Sequence, residues 1–393
     1  MTTWQRNIAT VAVSGMVVVL IFVVLATQPA PAPPATASPV AASPTEGAST
    51  TPTATAAASP SSGGSPSPSA AIDTRYGFVT IKGSSFELVT ETGTSVQQYG
   101  CGTASCDGGR VAVSADGKRV AYWRTGQTPE WELRVFDVAT PTSVRTVTML
   151  ASTLQGGALA WSSDAQGVVY AAQTPGYGGI TGGAGRATVN AVDLNAPQTP
   201  MNDVLPARTD GGIYLPIAWD RSRQVFAAVV TGEGGFVFEY AVADANGPKV
   251  TRATAGQMIA NQVKASPDGK RALGLDVQAN VVRIWPITNF AGSFEVRAGP
   301  GGRITAAHWQ TSNAVGWTYG GRFDVFVPQT DTSRTVYTAS SELALVAFRA
   351  DGSAALVGRV ASPGAVIVDV QSGATTPSTI SGVAVARPGV LLR

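Results

Sequence analysis

The sequence predicts an all-β chain: a seven-bladed β-propeller with four-stranded blades, preceded by one transmembrane helix and a disordered linker. Three observations carry that expectation. A strand–turn–strand unit, centred on Asp-Gly in its clearest copies, recurs along most of the chain at about the period of one blade. An uncharged apolar run opens the sequence. A tract of Ala, Pro, Ser, Thr and Gly separates the two. The expected divisions are residues 1–7 as a cytoplasmic tail, 8–27 as the transmembrane helix, 28–72 as the linker and 73–393 as the propeller.

Residues 8–26 contain neither a charge nor a proline. At about 1.5 Å per residue such a helix nearly spans a hydrocarbon core of roughly 30 Å. Arg6 and the α-amine precede it, and no basic residue follows before Arg75. That asymmetry orients the amino terminus to the cytoplasm and the rest of the chain outside, making the lipid bilayer a partner through residues 8–27. The competing reading is a cleaved signal peptide. A small-x-small site stands at Ala30-Pro31-Ala32, but prolines crowd it, and the apolar run exceeds the roughly 7–15 residues of a signal h-region. A signal anchor is therefore preferred. In residues 28–71 the single charge is Glu46. With no aromatic and almost no branched aliphatic residue, this tract cannot bury enough surface to offset its chain entropy. Its prolines favour extended segments, so it reads as a semi-stiff stalk of the composition also found in O-glycosylated stalks.

From Tyr76 onward short β-rich runs alternate with turns. The unit is clearest at Val263-Lys264-Ala265-Ser266-Pro267-Asp268-Gly269-Lys270-Arg271, and copies open at Val111, Ala158, Pro216, Ala306, Val346 and Val383. Their spacing is about 37 to 58 residues. A third, apolar strand follows in the better copies, as in residues 132–137 and 281–285, and then a more polar fourth. Four strands graded from apolar to polar suit a radial blade whose outer edge meets water. In the first strands Val113, Trp161, Trp219, Ala265, Trp309, Phe348 and Val385 share one position. Ala112, Ala160, Ala218, Lys264, His308, Ala347 and Ala384 precede them. Side chains alternate across a strand, so one face is bulky and the other small, as stacked blades require. The Trp set therefore reads as core rather than as a glycan-stacking platform. Six units are whole. The strands at residues 76–89 and the carboxy-terminal opening at 383–385 are expected to share a closing blade.

The Ser-Pro-Asp-Gly-Lys-Arg motif at residues 266–271, with Ser114-Ala115-Asp116-Gly117-Lys118-Arg119 and Ala350-Asp351-Gly352, resembles the TolB-like and WD-repeat-like (WD40-like) β-propellers of bacteria. The resemblance covers roughly residues 76–393. It implies fold more than function, since such propellers include scaffolds, ligand binders and enzymes. The Trp-Asp ending and the Gly-His pair of true WD repeats do not recur; the lone Trp219-Asp220 sits in a first strand. An anchor and stalk stand where TolB carries its amino-terminal domain.

Composition and motif content narrow the function. A net charge of +2 without a Lys/Arg cluster argues against nucleic acid. With two cysteines and one histidine the chain offers little for metal or thiol chemistry. That histidine, His308, lies within a strand and reads as a satisfied structural group rather than a base. There is no Gly-x-Ser-x-Gly elbow. Cys101 and Cys106 are expected to form a disulfide outside the cytoplasm, contributing about 2 kcal/mol for so short a loop. No catalytic, metal or cofactor residue is assigned. The loops that join fourth to first strands and second to third share one propeller face. Trp131, Tyr177, Arg186 and Tyr214 on them are the candidate contact with an envelope or cell-surface protein or a glycan. The expected function is a non-catalytic protein-interaction or ligand-binding module; the alternative is a lactonase-like propeller enzyme of the cell envelope.

Overall fold

The structure is a computed structural model. It describes residues 77–393 except 107–108, 127–129, 176–184, 198, 222–223, 231–237, 245–246, 255–262, 277–278, 290–291, 298–301, 361–363, 381–383, 386–389 and 392–393. The expected anchor at 8–27 and linker at 28–72 lie outside the described residues. Among the described residues no helix is long and apolar enough to cross a membrane.

The chain enters as three antiparallel strands, β1 (Phe78–Lys82), β2 (Ser85–Val89) and β3 (Ser95–Gly100). Six whole blades follow, each made from consecutive strands. The first is β4 (Val111–Val113), β5 (Arg119–Thr125), β6 (Trp131–Asp137) and β7 (Arg145–Leu150). The second is β8 (Gln155–Trp161), β9 (Gly167–Gln173), β10 (Ala187–Asp193) and β11 (Met201–Arg208). The third is β12 (Ile213–Trp219), β13 (Val225–Val230), β14 (Phe238–Asp244) and β15 (Gly247–Thr254). The fourth is β16 (Lys264–Ala265), β17 (Arg271–Asp276), β18 (Val281–Pro286) and β19 (Phe294–Arg297). The fifth is β20 (Ile304–Thr311), β21 (Ala314–Tyr319), β22 (Arg322–Val327) and β23 (Thr332–Thr338). The sixth is β24 (Leu343–Arg349), β25 (Ala354–Arg359), β26 (Ala365–Asp369) and β27 (Thr375–Ser378). Two short strands end the chain, β28 (Ala384–Val385) and β29 (Val390–Leu391).

Two details depart from expectation. Six blades are whole, where a seven-bladed ring with a split closing blade is expected. The remaining sheet, β28-β1-β2-β3, is split between the two ends of the chain, and its inner strand has two residues, with Thr80 opposite Val385 and Ile81 opposite Ala384. The sixth whole blade has five strands rather than four, because β29 pairs in parallel with β24 at Phe348↔Val390 and Arg349↔Leu391. An inner strand with no strand beyond it presents unpaired N–H and C=O groups, and β29 covers part of that edge.

The radial gradient follows from the residues. The second strands are nearly all buried, as in β9 and β21, whereas the outermost strands β19, β23 and β27 are mostly exposed. Bulky first-strand side chains fill space left by small ones. A Cβ on Gly167 would lie 2.3 Å from the Trp219 ring, and one on Gly316 would lie 2.3 Å from the Phe348 ring. Trp161, Trp219, Trp309 and Phe348 are all buried, as expected of core. The indole Nε1 of Trp161 donates to Ala112 O of the preceding blade at 3.0 Å, and that of Trp309 to Lys264 O at 3.0 Å.

The β1–β3 sheet packs on one side against the first whole blade, through Phe86, Tyr99, Tyr122 and Phe136. On its other side Phe78 and Val89 pack with Leu356 and Ile367 of the sixth. Arg349 Nε and Nη2 donate to the two carboxylate oxygens of Glu91, both at 2.6 Å, and Thr379 N donates to Thr92 O at 3.0 Å. The ends of the ring are thereby fastened together by side chains as well as by β28.

Candidate functional site

Three of the four expected contact residues are described, and one of them, Tyr214, is buried. Trp131 is half-buried, set edge-on to Trp123 at 6.3 Å, with the Arg110 guanidinium 5.1 Å over its ring. Tyr214 is corrected from contact residue to core. It is 2% exposed, its hydroxyl donates to Pro206 O at 2.9 Å, and Arg208 lies over its ring. Its place on β12, rather than in the preceding turn, directs the ring inward among the residues packed between the second and third blades. Arg186 is exposed, and its backbone N–H donates to Thr174 Oγ1 at 3.1 Å, closing the neck of its loop. Tyr177 lies outside the described residues.

Cys101 and Cys106 are joined as a disulfide and both are fully buried. Cys101 N donates to Ser84 O at 2.8 Å and Cys106 N to Gly83 O at 2.7 Å, while Thr125 N donates to Cys101 O at 3.1 Å. The bridge closes a short loop whose backbone is hydrogen-bonded to the β1–β2 turn and to β5 of the first whole blade, a structural position.

Turn chemistry commits several carboxylates. Ser114, Ser162 and Ser266 each donate Oγ–H to the Asp two residues on at 2.6 Å and accept the backbone N–H five residues on at 2.9 Å. Asp116, Asp164 and Asp268 are thus part of their turns. In the second blade Ala165 occupies the left-handed place that Gly117 and Gly269 take elsewhere, at φ 56°. Asp164 and Asp193 both meet Arg221 of the third blade. Burial raises the Asp164 carboxyl, but hydrogen bonds from Ser162 and Arg221 outweigh it and hold the group below the usual carboxylate value. Asp193 is lowered in the same way, with burial opposed by the Arg221 guanidinium.

The site that sequence reading missed lies where the first strands converge. Side chains from β4, β8, β12 and β16, with Trp309 of β20, line an open cavity of about 120 Å³. Its wall is apolar at Val113, Leu159, Trp161, Ile217 and Trp309. Lys264 is the one ionisable side chain among the described residues of that wall. Lys264 occupies the register held by Ala112, Ala160 and Ala218, which also line the cavity. Its Nζ donates to Ala307 O at 2.8 Å and lies 2.9 Å from His308 Nε2 and 3.2 Å from Nδ1. The signal was present in the sequence: Lys264 and His308 are the two departures from Ala at one repeat position, in successive blades. A second cavity, of about 360 Å³, lies between the third and fourth blades beside Trp219, Phe226, Asp268 and Lys270.

No family model matches the chain. No curated protein matches it either. Solved structures do. A structure described as one of two prolyl endopeptidases, from a study of inter-domain dynamics in catalysis and specificity, is 15% identical with a TM-score of 0.51 over 79% of this chain. The chain spans half the length of that protein. The β-propeller domain of Cps50 (Swd1) from Myceliophteria thermophila is 14% identical over 68% of this chain and 84% of its own, with a TM-score of 0.42. An acylaminoacyl peptidase complexed with a chloromethyl ketone is 11% identical over 77% of this chain and 52% of its own, with a TM-score of 0.47. At such identities the likeness bears on fold alone, and the fold is a β-propeller.

Proposed function

We propose that the chain is a non-catalytic binding module: a WD40-like and TolB-like propeller held outside the cytoplasmic membrane by residues 8–27 and a stalk at 28–72, with the split sheet as its closing seventh blade. One observation carries this reading. The only imidazole, His308, has the Lys264 ammonium 2.9 Å from Nε2 and 3.2 Å from Nδ1, so a cation rather than a substrate proton stands by whichever ring nitrogen carries the lone pair. A general base needs that lone pair turned toward a substrate proton. The turn carboxylates Asp116, Asp164 and Asp268 are likewise engaged, by their own serines. Envelope or cell-surface proteins and glycans are the partner classes that suit an exported, stalked head.

The full chain in native membranes tests it. Cross-linking of intact cells is expected to capture an envelope component, and protease added outside is expected to release the head. Hydrolysis of lactone or peptide substrates by the purified chain, abolished by His308→Gln, would replace the module with an enzyme of the lactonase-like kind. A head protected from external protease would remove the export reading.

A further inference from the structure

We infer that the ring opens at one seam, between the sixth blade and the β1–β3 sheet, and that the paired bonds from Arg349 to Glu91 are its latch. Opening there turns a closed ring into one with a side entrance to its interior. This property of ring closure does not depend on what the chain binds.

Chain connectivity marks the seam. From β3 the chain runs on into the first whole blade. Toward the sixth blade the β1–β3 sheet has no such connection. The chain leaves β27 for β28, and β28 meets β1 in two residue pairs, Thr80↔Val385 and Ile81↔Ala384. The two faces of the sheet differ in the same sense. Against the first blade, the rings of Phe86, Tyr99, Tyr122 and Phe136 lie with centroids 4.5–6.5 Å apart. Cys101 N and Cys106 N add bonds to the β1–β2 turn on that side. Against the sixth blade, Phe78 is the one aromatic ring among the described residues of the buried cluster. Its company is aliphatic, as at Val89, Leu356 and Ile367. Aromatic rings bury more area than aliphatic side chains and gain further from stacking. The sheet is therefore held more firmly by the first blade than by the sixth.

The polar contacts across this seam converge on one turn. Arg349 Nε and Nη2 each donate to a carboxylate oxygen of Glu91 at 2.6 Å. Ser378 Oγ donates to Glu91 O at 2.7 Å. Thr379 donates to Thr92 O twice, through N at 3.0 Å and Oγ1 at 2.7 Å. Glu91 and Thr92 both lie between β2 and β3. The Arg349–Glu91 pair is half-buried and bidentate, which makes it stronger and more directional than a surface ion pair. Bonds gathered at a single turn are lost together when that turn moves. Their loss, with that of the two-pair ladder to β28, breaks no ladder within the six whole blades. Opening is thus a local event, cheaper than global unfolding.

The test uses the full-length chain in detergent. Both of its cysteines are in the disulfide, so an introduced cysteine is the only free thiol. Three buried alanines serve as sites: Ala347 at the seam, Ala171 between the second and third blades, and Ala355 between the fifth and sixth. Maleimide is expected to label Ala347→Cys at least tenfold faster than Ala171→Cys or Ala355→Cys. Adding Arg349→Met is expected to raise the rate at Ala347→Cys at least tenfold more and to leave the other two within twofold. General destabilisation would raise all three. Hydrogen exchange of the wild type gives the same comparison without a new thiol. Thr379 N and Leu159 N each bond across a blade boundary, to Thr92 O and Gly109 O. The Thr379 amide is expected to exchange at least tenfold faster than that of Leu159. Equal labelling at the three sites, equal exchange at the two amides, or equal acceleration of all three sites by Arg349→Met would overturn the latch. Should Ala347→Cys fail to fold by circular dichroism, the wild-type exchange comparison decides.

Discussion

Trp161, Trp219 and Trp309 share one repeat position, yet their indoles are satisfied differently. Trp161 and Trp309 each donate to the preceding blade, whereas Trp219 Nε1 is buried without a partner among the described residues. The strand that carries Trp219 shifts register between Pro216 and Ala218. Replacing Trp161 by Phe should therefore cost about 1 kcal/mol more than replacing Trp219 by Phe, since only the first removes a hydrogen bond. Urea midpoints of the two variants would check this. A further residue-scale expectation concerns Ala165, held at φ 56° where glycine carries no Cβ penalty. Ala165→Gly should raise stability by up to about 1 kcal/mol, read from the same denaturation curves, because the strain relieved exceeds the added chain entropy. The inward register of the tryptophans was legible in the sequence because strand alternation is local. The burial of Tyr214 was not, because a strand boundary drawn a few residues late placed it in a turn.

At the scale of the element, the repeated turn is defined by serine and aspartate more than by Asp-Gly. The second blade uses Ser162 and Asp164 with alanine in the glycine place, so an Asp-Gly search passes over it. In the sixth blade Arg349 stands where the serine would be, and it reaches Glu91 instead. The turn has exchanged a local bond for a long-range one. Arg221 shows how turns of neighbouring blades are joined, through Asp164 and Asp193. Both carboxyls are depressed in the folded chain, so their contribution is fully present above the unfolded carboxylate value near 3.8 and is lost as pH falls through the lower folded value. Arg221→Ala should thus lower the thermal midpoint at neutral pH, and the gap from the wild type should narrow below about pH 4. Thermal scans across pH would show it. For the disulfide, Cys101→Ser with Cys106→Ser is expected to lower stability by about 2 kcal/mol, with the β1–β2 hairpin losing hydrogen-exchange protection first.

For the whole molecule, the decisive contacts join residues far apart in sequence. Glu91 and Arg349 are 258 positions apart, and their paired bonds bind the split sheet to the sixth blade. Removing residues 381–393 should take away β28 and β29, uncover the inner edges of β1 and β24, and make the chain prone to self-association. Light scattering of the truncated chain would report it, and Arg349→Met alone should cost about 1–2 kcal/mol. By itself the sequence determined the repeat, the strand faces, the turn chemistry and the pairing of the cysteines, since each depends on residues within a few positions of one another. Only the tertiary structure decided that Lys264 of one blade meets His308 of the next at a shared cavity, that Tyr214 is core, and that β29 adds a fifth strand to the sixth blade. Those outcomes depend on which inner strands become neighbours when the sheets close around an axis, a condition no single stretch of chain encodes.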